Sequence, residues 1–417
     1  MLKRFIGVWL IYWTVILLLP IRSIYPATAQ AFILQLGFVL ITSLSYLAVN
    51  FILNQRQIQP VSFIDISRAR TLIKLSLALS LIGLVFLMYD KIYIQGVSYA
   101  DGLAIAREQW RELGEDRDGE ASSIFSILGY LFGSSYYIAA LLAITQIKLL
   151  NSAERIKFLL FSFFFVMVNS AVTGGRSSIL LFASFVFSAS AAHSKIRFRN
   201  IFESQKQRWL VIISVAMAFG YTIIIFFQRA DASDLKSIEY LLDFLPFLGL
   251  EPFDWFGDLL DDGILSSLSS MFLLSIGYLT HSFATTSAII DAPAEDSILI
   301  FNHIINIFSK IGLAEQSNDE WVLSGRFPSL PGALWHQFGG AGLVMGSFIL
   351  GAASAIAYAC TAIRPARILS LGIFVMMDVV LVLSPFLFAG DLLSFPFILT
   401  AFALFAVVEM ACKKDFF

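Results

Sequence analysis

Charge is scarce in this sequence. Asp, Glu, Lys and Arg together make up 14% of its 417 residues. A soluble domain carries about 25%, and none has enough interior to hide a chain that is 58% hydrophobic. Cysteine is scarce too: Cys360 and Cys412 lie at or near the ends of apolar runs and form neither a disulfide framework nor a metal set. The net charge of −2 leaves no basic surface for nucleic acid. There is no P-loop, nucleophile elbow or metal-ligand spacing, so neither ATP-driven nor metal-dependent chemistry is expected, and no cofactor. Tandem repeats and low-complexity tracts are missing as well.

What remains is a series of long apolar runs, and these predict an all-α polytopic membrane protein of about 10–11 transmembrane helices. The spans are Phe5–Leu19, Ala31–Leu53, Leu72–Met88, Ile124–Ile144, Phe158–Val172, Ser177–Ala192, Trp209–Phe227, Ala341–Cys360, Ile368–Phe388 and Phe395–Ala411. The first follows Lys3 and Arg4, but no small-residue cleavage site comes after it, so it reads as a retained helix. Lys and Arg cluster at Arg56–Lys74, Lys148–Lys157, Lys195–Arg208, Arg364–Arg367 and Lys413–Lys414. Ten spans put all five clusters on one side, which the positive-inside tendency makes cytoplasmic.

The other side receives the Gly102–Glu120 loop, the Thr173–Arg176 turn and an extracytoplasmic region, 228–340, that begins acidic. We read residues 1–417 as a single membrane domain with this one elaborated loop. Within the loop, Leu265–Ile290 is long enough to span. A crossing there would put the basic C-terminal loops on the wrong side, and the stretch is rich in Ser and Thr. It is therefore expected to be re-entrant or interfacial. Ile298–Ile311 alternates apolar residues with Asn302, His303, Asn306 and Lys310 and reads as a surface-lying amphipathic helix.

The turn Thr173-Gly174-Gly175-Arg176-Ser177-Ser178 joins two apolar runs shorter than ~20 residues, so it should sit at the membrane surface. Gly174 and Gly175 allow a sharp turn and a close ligand. Arg176 is a fixed cation, and Ser177 and Ser178 open a helix whose free N–H groups favour an anion. These features fit a phosphate at the end of a lipid. An ordinary hairpin with a snorkelling Arg is the plainer alternative.

A second constellation runs from Gly325-Arg326-Phe327-Pro328-Ser329-Leu330-Pro331-Gly332 to Trp335-His336 and Gly339-Gly340. Its Pro and Gly residues predict irregular backbone ahead of the Ala341 span, with Arg326 and His336 near the outer surface. Arg229 follows its span directly and falls on the same leaflet. Three guanidiniums there suit a pyrophosphate, because Arg binds such groups bidentately. His281, near Tyr278, is a second histidine able to move a proton near neutral pH. Asp378 lies inside a span, where an ionisable group is costly. Asp391 and Asp261-Asp262-Gly263 read as turns. Trp255, Trp321 and Trp335 are either sugar platforms or interface anchors.

The hairpin Thr-Gly-Gly-Arg-Ser-Ser-Ile-Leu-Leu, the Tyr278–His281 stretch and the later Pro-Gly-Ala-Leu-Trp-His-Gln-Phe-Gly-Gly-Ala-Gly segment, in this order, resemble the O-antigen or oligosaccharide repeat-unit polymerases, the Wzy family. The similarity covers roughly residues 158–351. It implies a GT-C-like, multi-pass glycosyltransferase of the bacterial inner membrane with a periplasmic active site. The implied substrates are undecaprenyl-pyrophosphate-linked oligosaccharides in the lipid bilayer, with a chain-length regulator as a further partner. It implies catalytic roles for Arg176, Arg326 and His336, and substrate contacts at Arg229, His281, Tyr278, Gly174, Gly175 and Ser177. Two rival readings are an O-antigen ligase, which uses the same donor, and a flippase or transporter, which would be expected to carry repeated bundles.

Overall fold

The computed structural model describes residues 1–54, 66–100, 102–115, 123–146, 150–173, 175, 177–190, 205–232, 235–257, 264–291, 300, 305, 326–363 and 367–411. The chain is an all-α polytopic membrane protein. Among the described residues, seven helices are long and apolar enough to cross a membrane, and three shorter apolar helices accompany them. A helix lies at each of the ten runs expected to span. The chain forms two compact units, one of Met1–Gln57, Ser233–Ala359 and Val380–Leu393, the other of Ile58–Ala232, Cys360–Val379 and Ser394–Phe417.

In chain order the elements are α1 (Leu2–Leu18), β1 (Ile21–Ser23), α2 (Thr28–Asn54), α3 (Ile66–Tyr89), α4 (Leu103–Glu115), α5 (Ile124–Gly133), α6 (Tyr136–Thr145), α7 (Ser152–Thr173), α8 (Ser177–Ala189), α9 (Gln205–Ala232), α10 (Ser237–Phe247), β2 (Leu250–Pro252), α11 (Asp254–Gly257), α12 (Ile264–Asp291), α13 (Leu330–Ile363), α14 (Ile368–Leu383) and α15 (Ser394–Ala411).

In the first unit a ladder of buried polar groups runs among buried apolar side chains such as Phe5, Phe38 and Leu245. The Trp9 indole donates to Ser384 Oγ at 3.1 Å. Tyr12 shares a 2.6 Å hydrogen bond with Ser282, whose hydroxyl donates to the Pro385 carbonyl at 2.7 Å. Trp13 donates to Gln35, and Gln35 reaches Ser329. Inside a membrane such groups must find partners within the protein, and here they tie α1, α2 and α12 to the start of α13. Gln35 lies seven residues into α2, so by the helical rise α13 begins about 10 Å along it.

Residues 265–290 form one unbroken helix, so the irregular backbone of a re-entrant loop is not found there. By length and composition Ser269–Ile290 could cross a membrane. Three of the Ser and Thr residues that argued against a helix at depth are satisfied locally: Thr280, Thr286 and Ser287 donate to the carbonyls of Ile276, Ser282 and Phe283. Its second half runs along one short segment of chain. Gly277 faces Leu245, Leu250 and Ile21, and Ala284 lies beside Gly249. Ala288 and Ile289 pack on Tyr25. β2, which precedes the helix, pairs antiparallel with β1, and Arg326, which follows it, bonds Tyr25. Both flanks of α12 thus return to residues 21–25.

In its described parts the region 228–340 holds α10, α12 and the start of α13. Residues 330–340, expected to be irregular, are helical as well. Ser329 caps the helix by accepting the Gly332 N–H. Pro331 sits in the first turn, where its missing N–H costs nothing. The irregularity falls at Gly339, whose φ of 63° breaks α13 into two segments. The Gly102–Glu120 loop likewise contains α4. The amphipathic stretch Ile298–Ile311 lies outside the described residues, apart from Ile300 and Ile305.

In the second unit α3 crosses α5 at glycines. A Cβ on Gly83 would lie 2.1 Å from the Gly133 nitrogen, so only glycine permits this approach. α3 ends in a π-helical turn, Asp90–Ile94, which buries both Asp90 and Lys91.

Candidate functional site

Arg326 stands four residues ahead of α13 and is fixed on several sides. Its Nη1 donates to the Tyr25 hydroxyl at 2.7 Å. Its guanidinium lies 5.2 Å from the centre of the Phe247 ring, a favourable cation–π geometry. The next residue, Phe327, donates its N–H to His281 Nε2 at 3.1 Å. Two residues on, Ser329 bonds Thr286 at 2.8 Å, and Leu330 donates its N–H to the Ser384 carbonyl at 2.9 Å. Tyr25 is set by Gly249, where a φ of 76° and the lack of a side chain let the phenol ring lie against the backbone.

No carboxylate among the described residues neutralises Arg326. The two ion pairs described join Arg22 to Glu251 and Arg70 to Glu154. Glu251, on the β-ladder beside Tyr25, is therefore taken. The Arg326 Nε is buried and has no hydrogen-bond partner. A permanent cation so placed is ready for an anion that can approach within hydrogen-bond distance.

His281 is engaged at both ring nitrogens. Nδ1 meets the Tyr278 carbonyl at 2.5 Å and so must donate, which leaves Nε2 neutral to accept from Phe327. The ring is buried and tilted on Tyr278, with centroids 5.2 Å apart. His281 thus holds the Phe327 backbone next to Arg326. The Tyr278 ring is half-buried and its carbonyl holds His281. His336 lies half-buried on α13, three residues before the Gly339 break. Trp335 packs on Ala288 and Ile289 as part of the interior, and Trp255 is exposed. Trp321 lies outside the described residues.

The second unit carries the hairpin turn. Arg176 and Gly174 lie outside the described residues, so the expected meeting of Arg176 with Arg326 and His336 does too. Gly175 is not among the glycines with positive φ, and a Cβ there would make ordinary contacts of 3.5 and 3.7 Å with Thr173 and Ser177. The backbone therefore does not demand glycine at 175. Ser177 is exposed, while Ser178 is buried and accepts from Asn169 Nδ2 at 3.2 Å. The turn is held by two tyrosines from elsewhere in the unit: Tyr99 donates to the Val172 carbonyl at 2.6 Å and Tyr221 to the Ser170 carbonyl at 2.9 Å. Gly102 faces the Gln228 side chain, so half-buried Arg229 and the turn belong to one end of this unit. Asp378 is buried within α14 and Asp391 sits in a short turn after it.

One cluster was not anticipated from the sequence. Asp90 accepts from Ser123 Oγ and Gln95 Nε2. Lys91 donates to Gln95 Oε1 at 3.2 Å and lies 3.9 Å from the Trp110 ring centre. An acidic–basic pair directly ending a long apolar run was the available signal. Tyr25 gave less, because a tyrosine between two spans is common. Comparison with protein-family models, with curated proteins and with solved structures finds no match.

Proposed function

We propose that the protein is a glycosyltransferase that polymerises lipid-linked oligosaccharide repeat units, acting at the outer face of a bacterial inner membrane. The observation that carries this reading is Arg326, a guanidinium fixed by Tyr25 and Phe247 with no carboxylate to neutralise it among the described residues. The all-helical membrane architecture and the resemblance of the Arg176 and Arg326–His336 segments to the Wzy polymerases support it.

In this reading the acceptor hydroxyl oxygen forms a bond to the anomeric carbon of the donor glycan. The bond from that carbon to the pyrophosphate oxygen breaks, and undecaprenyl pyrophosphate leaves with the electron pair. A preorganised guanidinium stabilises the developing charge without reorganising. Arg326 serves this role. The hydroxyl proton passes to His336, since both nitrogens of His281 are engaged in the fold.

The surface polysaccharide of a deletion strain tests the proposal. The reading predicts that long chains disappear while single-unit decoration persists, and that the wild-type gene restores the ladder. Loss of all decoration would assign the chain to ligation or flipping instead.

A further inference from the structure

The apolar span Ile124–Thr145 is broken at its centre. α5 ends at Gly133 and α6 starts at Tyr136, with Ser134 and Ser135 between them. Backbone bonding tightens there. The Ser135 N–H donates to the Phe132 carbonyl and the Tyr137 N–H to the Ser134 carbonyl, each one residue short of the α-helical acceptor. The Leu131 and Gly133 carbonyls thereby lose their helical partners. Carbonyls at the C-terminal end of a half-helix carry partial negative charge. At membrane depth such groups are tolerated where they line a cavity.

A cavity lies at this break. Its wall includes Ser80 of α3, Tyr130 and Gly133 of α5, Ser134, Tyr136 of α6 and Asn169 of α7. All belong to one compact unit. It leaves about 20 Å³ for the centre of a water-sized guest, and one such guest needs ~10–15 Å³. Two polar side chains of the wall have spent their protons elsewhere. Ser80 Oγ donates to the Ser76 carbonyl at 2.8 Å, and Asn169 Nδ2 donates to Ser178 Oγ at 3.2 Å. Asn169 is 8% exposed, and its Oδ1 is buried with no hydrogen-bond partner. The wall therefore offers acceptors: Asn169 Oδ1, the Ser80 lone pairs and the Gly133 carbonyl. No Lys, Arg or His lines it. Leaving buried acceptors unmet is costly. A water has two protons to give, whereas a cation draws three or more oxygens at once. Neutral carbonyls and half-helix ends hold sodium and potassium in membrane proteins without a carboxylate.

We propose that this cavity is a binding site for a monovalent alkali cation, held by Asn169, Ser80 and the C-terminal end of α5. The absence of a carboxylate from the wall excludes a divalent ion. The ion takes no part in the reaction proposed above, and the site stands without that reaction. Its effect falls on the α7–α8 hairpin. The Asn169 amide bonds Ser178 on α8, and the Asn169 carbonyl accepts the Thr173 hydroxyl at 2.8 Å. A cation on Oδ1 fixes the amide with Nδ2 towards Ser178 and so fastens α7 to α8 beneath the turn.

The test uses the full chain purified in an uncharged maltoside detergent. Melting temperatures are compared in sodium, potassium and choline chloride at one ionic strength, and radioactive sodium binding is read by equilibrium dialysis. The melting temperature should rise in sodium or potassium relative to choline and then saturate, as a ligand of the folded state requires. Ser80→Ala removes one oxygen whose only bond is to its own helix, and should weaken the cation response several-fold. Asn169→Asp keeps Oδ1, lets the Ser178 hydroxyl turn and donate, and adds a negative charge. It should tighten cation binding about tenfold or more. A merely structural Asn169 would instead give a variant less stable in every salt and no tighter binding. Gly37→Ala, in the other unit, should respond like wild type. A larger response to sodium assigns the site to sodium and a larger response to potassium assigns it to potassium; both support the site. Equal melting in all three salts with no saturable sodium binding overturns it. So does a wild-type cation response in both Ser80→Ala and Asn169→Asp. Should Asn169→Asp fail to fold, Ser80→Ala carries the comparison.

Discussion

Gly351 of α13 meets the backbone of α2 at Thr42: a Cβ at Gly351 would lie 2.4 Å from the Thr42 carbonyl oxygen and 2.9 Å from Ser45 Cβ. Ser45 Oγ donates to the Phe348 carbonyl at 2.7 Å in the same crossing. Small residues let two helix backbones approach in this way where no hydrophobic drive joins helices. Gly351→Val should force the helices apart and abolish monodisperse protein in fluorescence-detected gel filtration. Gly37→Ala, on α2 with nothing near its missing Cβ, should leave the melting temperature unchanged or slightly raised, because Ala favours helix by up to about 1 kcal/mol. Equal behaviour of the two variants would remove the close crossing from this account.

The buried ladder predicts an asymmetry. Tyr12 donates to Ser282, and Ser282 donates onward to Pro385. Tyr12→Phe removes a donor and leaves the second bond intact, at about 1 kcal/mol. Ser282→Ala leaves both the buried phenol and the Pro385 carbonyl short of a partner, and should cost about 1–3 kcal/mol. Thermal unfolding in one detergent should rank Ser282→Ala below Tyr12→Phe; the reverse order would mean that the ladder is not wired as described.

Tyr99 lies outside the spanning segments, and burial, with a smaller push from Asp90, raises its pKa to about 12. The folded state therefore holds the phenol proton that the unfolded chain releases near pH 10. Its contribution is fully present below pH 10 and fades as pH rises towards 12. Melting temperatures of wild type minus Tyr99→Phe should shrink over that interval and stay constant from pH 7 to 9. A difference that grows above pH 10 would contradict the neutral Tyr99–Val172 contact.

Most of the helical framework was legible, because runs such as Ala31–Leu53 and Phe158–Val172 can do little else in a chain this apolar. Residues 265–290 were harder, since composition counts Ser and Thr as polar whereas a helix satisfies them on its own carbonyls, as Thr286 does on Ser282. Pro331 and Gly332 read as loop and proved to be a helix start, a position where both are tolerated. Arg326 was visible through its Pro/Gly setting. Its partner Tyr25, 301 positions away, was not, since nothing local to Tyr25 encodes a contact at that separation. The burial of Asp90 and Lys91 depends on a π-helical turn and on Trp110 from another helix, which hydropathy does not report.

Residues 250–252 and 326 both contact the 21–25 segment, so the chain before and after α12 should lie on one side of the membrane. Single cysteines placed at Lys236 and Ser317 should both react with an impermeant maleimide in intact spheroplasts. Reaction at only one would make α12 a crossing helix and invert the C-terminal topology.

Arg176→Ala and Arg176→Lys should both lose long-chain polymer in cells while the protein still reaches the membrane, because lysine keeps the charge but not the fork. Near-normal chain lengths in Arg176→Ala would return the turn to a structural hairpin.

Polymer synthesis by the purified protein is the most direct measurement of the central claim. Wild-type protein in liposomes would be given a single undecaprenyl-pyrophosphate-linked repeat unit from the host, with no nucleotide sugar and no metal. The account predicts a ladder of products that differ by one repeat unit, with release of undecaprenyl pyrophosphate, and a ladder at least tenfold weaker for Arg326→Lys. Unchanged single units after incubation with folded wild-type protein would contradict it.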